Sequence, residues 1–134
     1  MNILVIDGQG GRIGREVIER IKAEQLPCTV TAIGTNSAAT AAMLKGGADQ
    51  AATGENAVRV NAKKADVIIG PIAIVIADAL LGEITPGMAV AVGQSDAQKL
   101  LIPAGHCSNT VIGAKDLPIK SLLCGVIDEL KALL

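Results

Sequence analysis

The sequence predicts an α/β fold: a three-layer Rossmann-like domain, with a mostly parallel sheet of about five to six strands and helices on both faces. Three observations predict it. Short aliphatic runs alternate with amphipathic helical segments along the whole chain. The first run ends in a glycine-rich turn that opens a helix. The chain has 134 residues, the size of one domain, and 50% of them are hydrophobic.

Asn2–Ile6 is an aliphatic run of the kind buried on both faces of a parallel sheet. Asp7-Gly8-Gln9-Gly10-Gly11-Arg12-Ile13-Gly14 follows. A helix comes next: Ile13, Val17, Ile18 and Ile21 repeat at helical spacing, opposite Arg15, Glu16, Glu19 and Lys22. Pro27 closes that unit. Thr29–Gly34 predicts the second strand, and Thr35-Asn36-Ser37 offers caps to a helix over Ala38–Lys45 that stops at Gly46-Gly47. A short third strand is expected near Asp49–Ala52. Glu55–Ala65 predicts a short helix, with a strand at Ala57–Asn61 as the alternative. Asp66–Gly70 is the fourth strand. Ile72–Leu81 is apolar on almost every side and predicts a buried helix or a subunit contact, the basis for expecting a homodimer. Thr85-Pro86 starts a helix running to about Gly93. Lys99–Ile102 is the fifth strand, and Thr110–Gly113 a candidate sixth after the loop Pro103–Asn109. Leu117–Leu134 is the clearest helix, striped by Leu122, Leu123, Val126, Ile127, Leu130, Leu133 and Leu134.

Composition removes several function classes. Phe, Tyr and Trp are all absent, which excludes a tyrosine acid or base and base stacking on aromatic rings. The net charge of −1 offers no basic face for nucleic acid. Cys28, Cys107 and Cys124 are too scattered for a zinc pattern and odd in number, so neither a metal site nor a disulfide framework is expected. Val67–Leu81 is too short for a membrane span and contains Pro71 and Asp78. The start, Met1–Ile6 followed by Asp7, does not read as a signal peptide, and a cytoplasmic protein is expected.

Sheets of this class bind ligands at the carboxyl ends of their strands, so the segments just after the strands carry the functional candidates. Gly8, Gln9, Gly10, Gly11, Arg12, Ile13 and Gly14 lead. Glycines let main-chain N–H groups approach a ligand, and the helix that starts there favours an anion. The glycines at 8, 10 and 14 are one residue wider than the G-x-G-x-x-G dinucleotide pattern, and no Gly-Lys-Ser/Thr follows. A structural tight turn is the competing reading. Thr35, Asn36 and Ser37 stand where an NAD enzyme has an acid; with no carboxylate in that stretch, a 2′-phosphate with help from Arg12 fits better than a ribose diol, and a helix cap is the alternative. Thr53-Gly54-Glu55-Asn56 reads as a ribose, sugar or amide contact or as a helix start. Gly70, Pro71 and Ile72 fall where a nicotinamide would lie, or form a strand-to-helix turn. Asp7, Glu55 and Glu83 are the weak catalytic candidates. His106 and Cys107 are neighbours, a poor arrangement for a nucleophile–base pair, in a loop that otherwise reads as a ligand contact or plain surface. Asp78, on an apolar stretch, suits an interface.

The strings Val5-Ile6-Asp7-Gly8-Gln9-Gly10-Gly11, Ile33-Gly34-Thr35-Asn36, Ala52-Thr53-Gly54-Glu55-Asn56, Ala65–Ile72 and Gly82-Glu83-Ile84-Thr85-Pro86 together resemble a bacterial domain-of-unknown-function family of short proteins marked by DGQGG and GEN motifs. The resemblance runs from the first strand to about Pro103. It implies a bacterial cytoplasmic protein and no assigned activity. Glycine is common in that family where this chain has Arg12.

Three functions follow as expectations. The first is a nucleotide- or dinucleotide-phosphate binding protein, with NADP(H) the first ligand to test. The second is a ligand-sensing or regulatory module without chemistry, favoured by the poverty of titratable groups. The third is a small enzyme acting on a phosphorylated or amide-bearing metabolite through Asp7, Glu55, Asn56 or Glu83.

Overall fold

A computed structural model describes residues 1–104, 108–114 and 117–134. It contains a five-stranded, wholly parallel sheet in the order β3-β2-β1-β4-β5. The elements run β1 (Asn2–Asp7), α1 (Arg12–Ala23), β2 (Thr29–Gly34), α2 (Ser37–Lys45), β3 (Gln50–Thr53), α3 (Glu55–Ala62), β4 (Val67–Pro71), a 3₁₀ turn (Ile72–Val75), α4 (Pro86–Gln94), β5 (Gln98–Ile102) and α5 (Ile119–Leu133).

β1 is the central strand and is buried on both faces, which is why its sequence is an unbroken aliphatic run. Its alternate side chains feed two cores. Ile3 and Val5 join Val17, Ile18 and Ile21 of α1, Met43 of α2, and Leu123, Val126, Ile127 and Leu130 of α5. Leu4 and Ile6 point the other way, to Val58 and Ala62 of α3 and to Met88, Ala89 and Val92 of α4. Helices therefore cover both faces, as the alternating pattern predicts. In α5 the buried set is narrower than the sequence stripe: Leu133 and Leu134 are exposed.

The chain leaves β1 toward α1 and β2 on one side, while β4 and β5 lie on the other. The carboxyl ends of β1 and β4 thus flank the point where the strand order reverses, and a crevice is expected there. Gly70 lets β4 approach β1 closely, since a Cβ at that position would run into the Ile6 carbonyl oxygen.

Three expectations are corrected. Ile72–Leu81 is not a helix. Ala73 and Ile74 drop into the core within a single 3₁₀ turn, and the chain then folds back on itself so that Ile84 enters the same core. The Asp78 amide donates to the Ile84 carbonyl at 2.7 Å and the Ile84 amide to the Ala79 carbonyl at 3.1 Å. Left-handed backbone at Asp78, Leu80, Leu81 and Gly82 makes that reversal. The apolar residues Ala73 and Ile74 at its start face this chain's own core, whereas Leu81 at its end is exposed. Thr110–Gly113 is not a strand: it forms no ladder, Ile112 is exposed, and the Ala114 amide closes a turn onto the Val111 carbonyl. Ala57–Asn61 lies within α3, so the strand alternative falls. His106 and Cys107 lie outside the described residues. No helix of the described residues is long and apolar enough to cross a membrane.

Candidate functional site

The glycine turn has a buried face and an exposed one. Gly8, Gly11 and Gly14 are buried, whereas Gln9, Gly10 and Arg12 are exposed. Asp7 ends β1 with only 5% of its surface exposed and directs its carboxylate back along the turn. Its Oδ1 accepts from the Gly8 amide at 2.8 Å and its Oδ2 from the Gly14 amide at 2.8 Å. Gly11, left-handed at φ 71°, is the residue before α1, so Gly14 carries the third amide of the helix. Asp7 therefore caps α1 from the preceding strand, a task usually met by a side chain at Gly11's position. Burial pushes the Asp7 carboxyl above its ordinary value; the Gly14, Gly8 and Ile13 amides pull it down, and the nearby Glu83 charge adds to the rise.

Glu83 reaches the same turn from the loop before α4. Its Oε1 accepts from the Gln9 amide at 2.9 Å, the Thr35 hydroxyl at 2.7 Å and the Asn36 side-chain amide at 2.8 Å. These bonds, led by Thr35, hold its carboxyl below the ordinary value against a smaller rise from burial. Asn36 ties three parts together. Its Oδ1 caps α2 by accepting from the Ala39 amide at 2.9 Å, while its Nδ2 donates to Glu83 and to the Gln9 carbonyl at 3.0 Å. Leu80 packs over Gly8, where a Cβ would lie 2.8 Å from Leu80 Cδ1.

Two amides of the turn, Gly10 and Arg12, have no protein acceptor among the described residues. They border a cleft of about 340 Å³ lined by residues 7–13 together with Glu16, Ala104 and Ile119. That volume lies in the range of small-ligand sites. A Cβ at Gly10 would meet nothing within 4 Å, so the turn is open to the cleft at that residue. The Arg12 side chain is highly exposed at the rim and pairs with Glu16 at 3.2 Å.

The remaining sequence candidates fall elsewhere. Gly54 caps α3 with φ 101°, and Glu55, the first residue of that helix, accepts from the Thr85 hydroxyl. Thr85 in turn caps α4 by accepting from the Met88 amide at 3.1 Å. Glu55 also pairs with Arg59 at 3.4 Å, so its carboxylate clamps the starts of α3 and α4 and does not line the cleft. Asn56 is exposed on the outer groove between those helices. Ser37 is the exposed first residue of α2. Gly70, Pro71 and Ile72 end β4 and enter the 3₁₀ turn without lining the cleft. Thr35 and Asn36 do lie beside the turn, but their donors are directed to Glu83 rather than left open for a 2′-phosphate.

Sequence reasoning missed Glu83 as a partner of Thr35 and Asn36, and missed Asp7 as a helix cap. The second had a signal: an acid at the last position of a strand, followed by glycines, is placed to reach the opening helix. The first had no local signal, since Glu83 lies 48 residues from Thr35. Four of the five strings are joined by side-chain bonds, because Glu83 binds the Gln9 amide and Asn36, and Thr85 binds Glu55; the fifth, Ala65–Ile72, pairs with the first through β4 and β1.

No curated protein matches the chain. Among solved structures it is similar to a dodecameric FMN-dependent Ubix-like decarboxylase from Escherichia coli O157:H7, with 12% identity and a TM-score of 0.46 over 98% of this chain and 95% of that one. A family model described as a domain of unknown function, DUF3842, matches residues 2–134. The family suggested by the sequence strings was of this kind, and the chain belongs to the DUF3842 family.

Proposed function

We propose that the protein binds a nucleotide-type ligand, with a phosphate group at the exposed face of the Asp7–Gly14 turn and the rest of the ligand in the adjoining cleft. The observation that carries this reading is the conjunction at Gly10: two amides without an acceptor among the described residues, an α-carbon open to the cleft, and the Arg12 guanidinium at the rim. Amides at a helix start and a nearby cation favour a phosphate. The turn's buried face is not part of this site, because Asp7 and Glu83 already take the Gly8, Gln9 and Gly14 amides.

Within the class, NADP(H) is the ligand the sequence puts first. Its ground was the absence of an acid near Thr35 and Asn36, and Glu83 stands there in the fold. NAD(H), NADP(H) and ADP therefore belong in the same screen. Binding without chemistry is the reading we prefer to the enzyme alternative, because the site carboxylates Asp7 and Glu83 are both engaged by main-chain amides.

Thermal-shift measurements with these nucleotides test the proposal. A ligand at one hundred times its dissociation constant adds about 2.7 kcal/mol of stability. Gly10→Asp is expected to abolish the shift while leaving the melting temperature of the free protein unchanged, since its side chain enters open space beside the phosphate. A full shift in that variant would place the ligand elsewhere. The absence of any shift in the wild type would end the nucleotide reading.

A further inference from the structure

On the α3–α4 side of the sheet the surface lacks the charge that an outward helix usually carries. α4, with the sequence PGMAVAVGQ, contains no ionisable side chain. Met88, Ala89 and Val92 meet the core, while Pro86, Val90, Gly93 and Gln94 form an exposed face at three- and four-residue spacing. A helix without charge on any side belongs in an interior. Val60 of α3 and Val90 of α4, both about half exposed, line the outer groove between the two helices, which has a volume of about 630 Å³. The loop that leads into α4 projects Leu81, which is 98% exposed on left-handed backbone at φ 56°. A bulky residue pays a conformational cost there, and its side chain gains no burial from this chain in return.

We propose that this surface is a self-association face: the groove between α3 and α4 receives Leu81 of a second copy of the chain, and Lys63 meets the partner's Asp78. Charge argues for that occupant. Asp78 is exposed beside Leu81, and its carboxylate has no partner among the described residues. Lys63 lines the groove and also has none, whereas Arg59 is taken by Glu55. The groove thus attracts an apolar segment that carries an acid, and the loop of this same chain is one. Both halves of the contact lie on one patch. A two-fold rotation sets the projection of each copy against the groove of the other, and the assembly closes at two. The apolar residues are then central and the opposite charges lie at the rim. α1 and α5, which border the ligand cleft, pack on the other face of the sheet, so the contact leaves the cleft open and the inference stands without the nucleotide reading.

Sedimentation equilibrium of the full chain, over low to high micromolar concentrations, tests this. The mass is expected to rise from 13.6 kDa toward twice that value and stop there. Leu81→Gly suits the left-handed backbone and removes only the projecting side chain; it is expected to raise the dimer Kd at least about tenfold, the scale of one buried leucine. Val90→Glu keeps a good helix former on an exposed face but puts an acid in the apolar groove, with a rise of about tenfold or more. Lys63→Glu sets two acids against each other and is expected to raise Kd about fivefold, and adding Asp78→Asn, a residue at ease with positive φ, should recover most of that loss. A destabilised fold would not show that recovery, and urea denaturation of each variant checks the fold directly. A wild type that stays monomeric throughout overturns the proposal. So does a dimer whose Kd is unchanged in Leu81→Gly and Val90→Glu, because it uses another face. A mass that climbs past two copies rules out the closed contact, and a Lys63→Glu loss left uncorrected by Asp78→Asn rules out the stated pairing.

Discussion

On its buried face the Asp7–Gly14 turn is packed until none of its glycines, Gly8, Gly11 and Gly14, has room for a Cβ, whereas on its exposed face a Cβ at Gly10 would meet nothing within 4 Å. One motif thus contains two kinds of glycine. Those on the buried face let the strand, two helices and the Leu80–Glu83 loop close on one another. Gly10 has no such structural duty. The comparison teaches that a glycine-rich string is not one feature: its residues separate by what a methyl group would strike. The widened spacing of the motif also acquires a physical meaning. Gly14 serves the packing of α1, where a Cβ would lie 2.5 Å from Met43 Sδ and 3.0 Å from the Asp7 Cβ.

The largest effect expected from this contrast is at Gly11. Its φ of 71° is left-handed, and a Cβ would sit 2.7 Å from the Ala39 carbonyl oxygen and 2.8 Å from the Ala39 Cα. Both contacts are with backbone, which cannot rotate away. Gly11→Ala is expected to lose about 2–4 kcal/mol of stability, from the conformational cost and the forced separation of α1 and α2 together. Urea denaturation measures it. A loss below about 1 kcal/mol would show that the buried face is looser than its geometry indicates.

The next effect separates the two acids that hold the turn. Asp7 and Glu83 both accept its amides, yet their carboxyls are shifted in opposite directions, because Asp7 is buried and Glu83 is mainly governed by its hydrogen bonds. A raised folded value contributes stability that is complete below the ordinary 3.8 of Asp7 and is lost as pH rises through the folded value. A lowered folded value contributes stability that is complete above the ordinary 4.5 of Glu83 and is lost as pH falls through the folded value. The stability difference between wild type and Asp7→Asn should therefore shrink as pH rises above 3.8. The difference between wild type and Glu83→Gln should grow with pH and level off near 4.5. Asp7→Asn should also cost about 1–3 kcal/mol at neutral pH, since an amide nitrogen would face one of two buried N–H groups. Denaturation curves from about pH 3 to 7 read both slopes, and slopes of the same sign would contradict the assignment of burial to one acid and hydrogen bonding to the other.

How much of this was legible in the sequence follows from the same contrast between local and distant causes. β1, its turn and α1 could be read because the aliphatic run, the glycines and the 3.6-residue period are local signals. The same holds for α5 and for the Thr85-Pro86 helix start. Ile72–Leu81 misled because an all-apolar segment has no period to distinguish a helix from a fold-back, and the left-handed residues Asp78, Leu80 and Leu81 carry no sequence signal of their own. Thr110–Gly113 misled because β-branched residues suggest a strand even where no neighbouring strand is available to pair. At the site, the turn and Thr35-Asn36 were found by their place after strands. Glu83 was noticed as a lone acid, but its bond to Gln9 spans 74 residues, and no spacing rule links them.

The smallest expected effect lies at the open glycine, and it sharpens the comparison most. Gly10 lies outside the left-handed region, so alanine fits its backbone, and the added methyl meets no neighbour. Loss of freedom in the unfolded chain then makes Gly10→Ala neutral or stabilising by up to about 1 kcal/mol. Placed beside Gly11→Ala, one residue away in the chain, the pair should differ by several kcal/mol in stability, roughly the sum of the two estimates. Ligand binding should rank them the other way: Gly10→Ala folds normally but narrows the approach to the Gly10 and Arg12 amides, weakening the nucleotide-induced shift. If Gly10→Ala instead costs as much stability as Gly11→Ala, the exposed face is structural after all, and Gly10 no longer has a vacant surface to offer a phosphate.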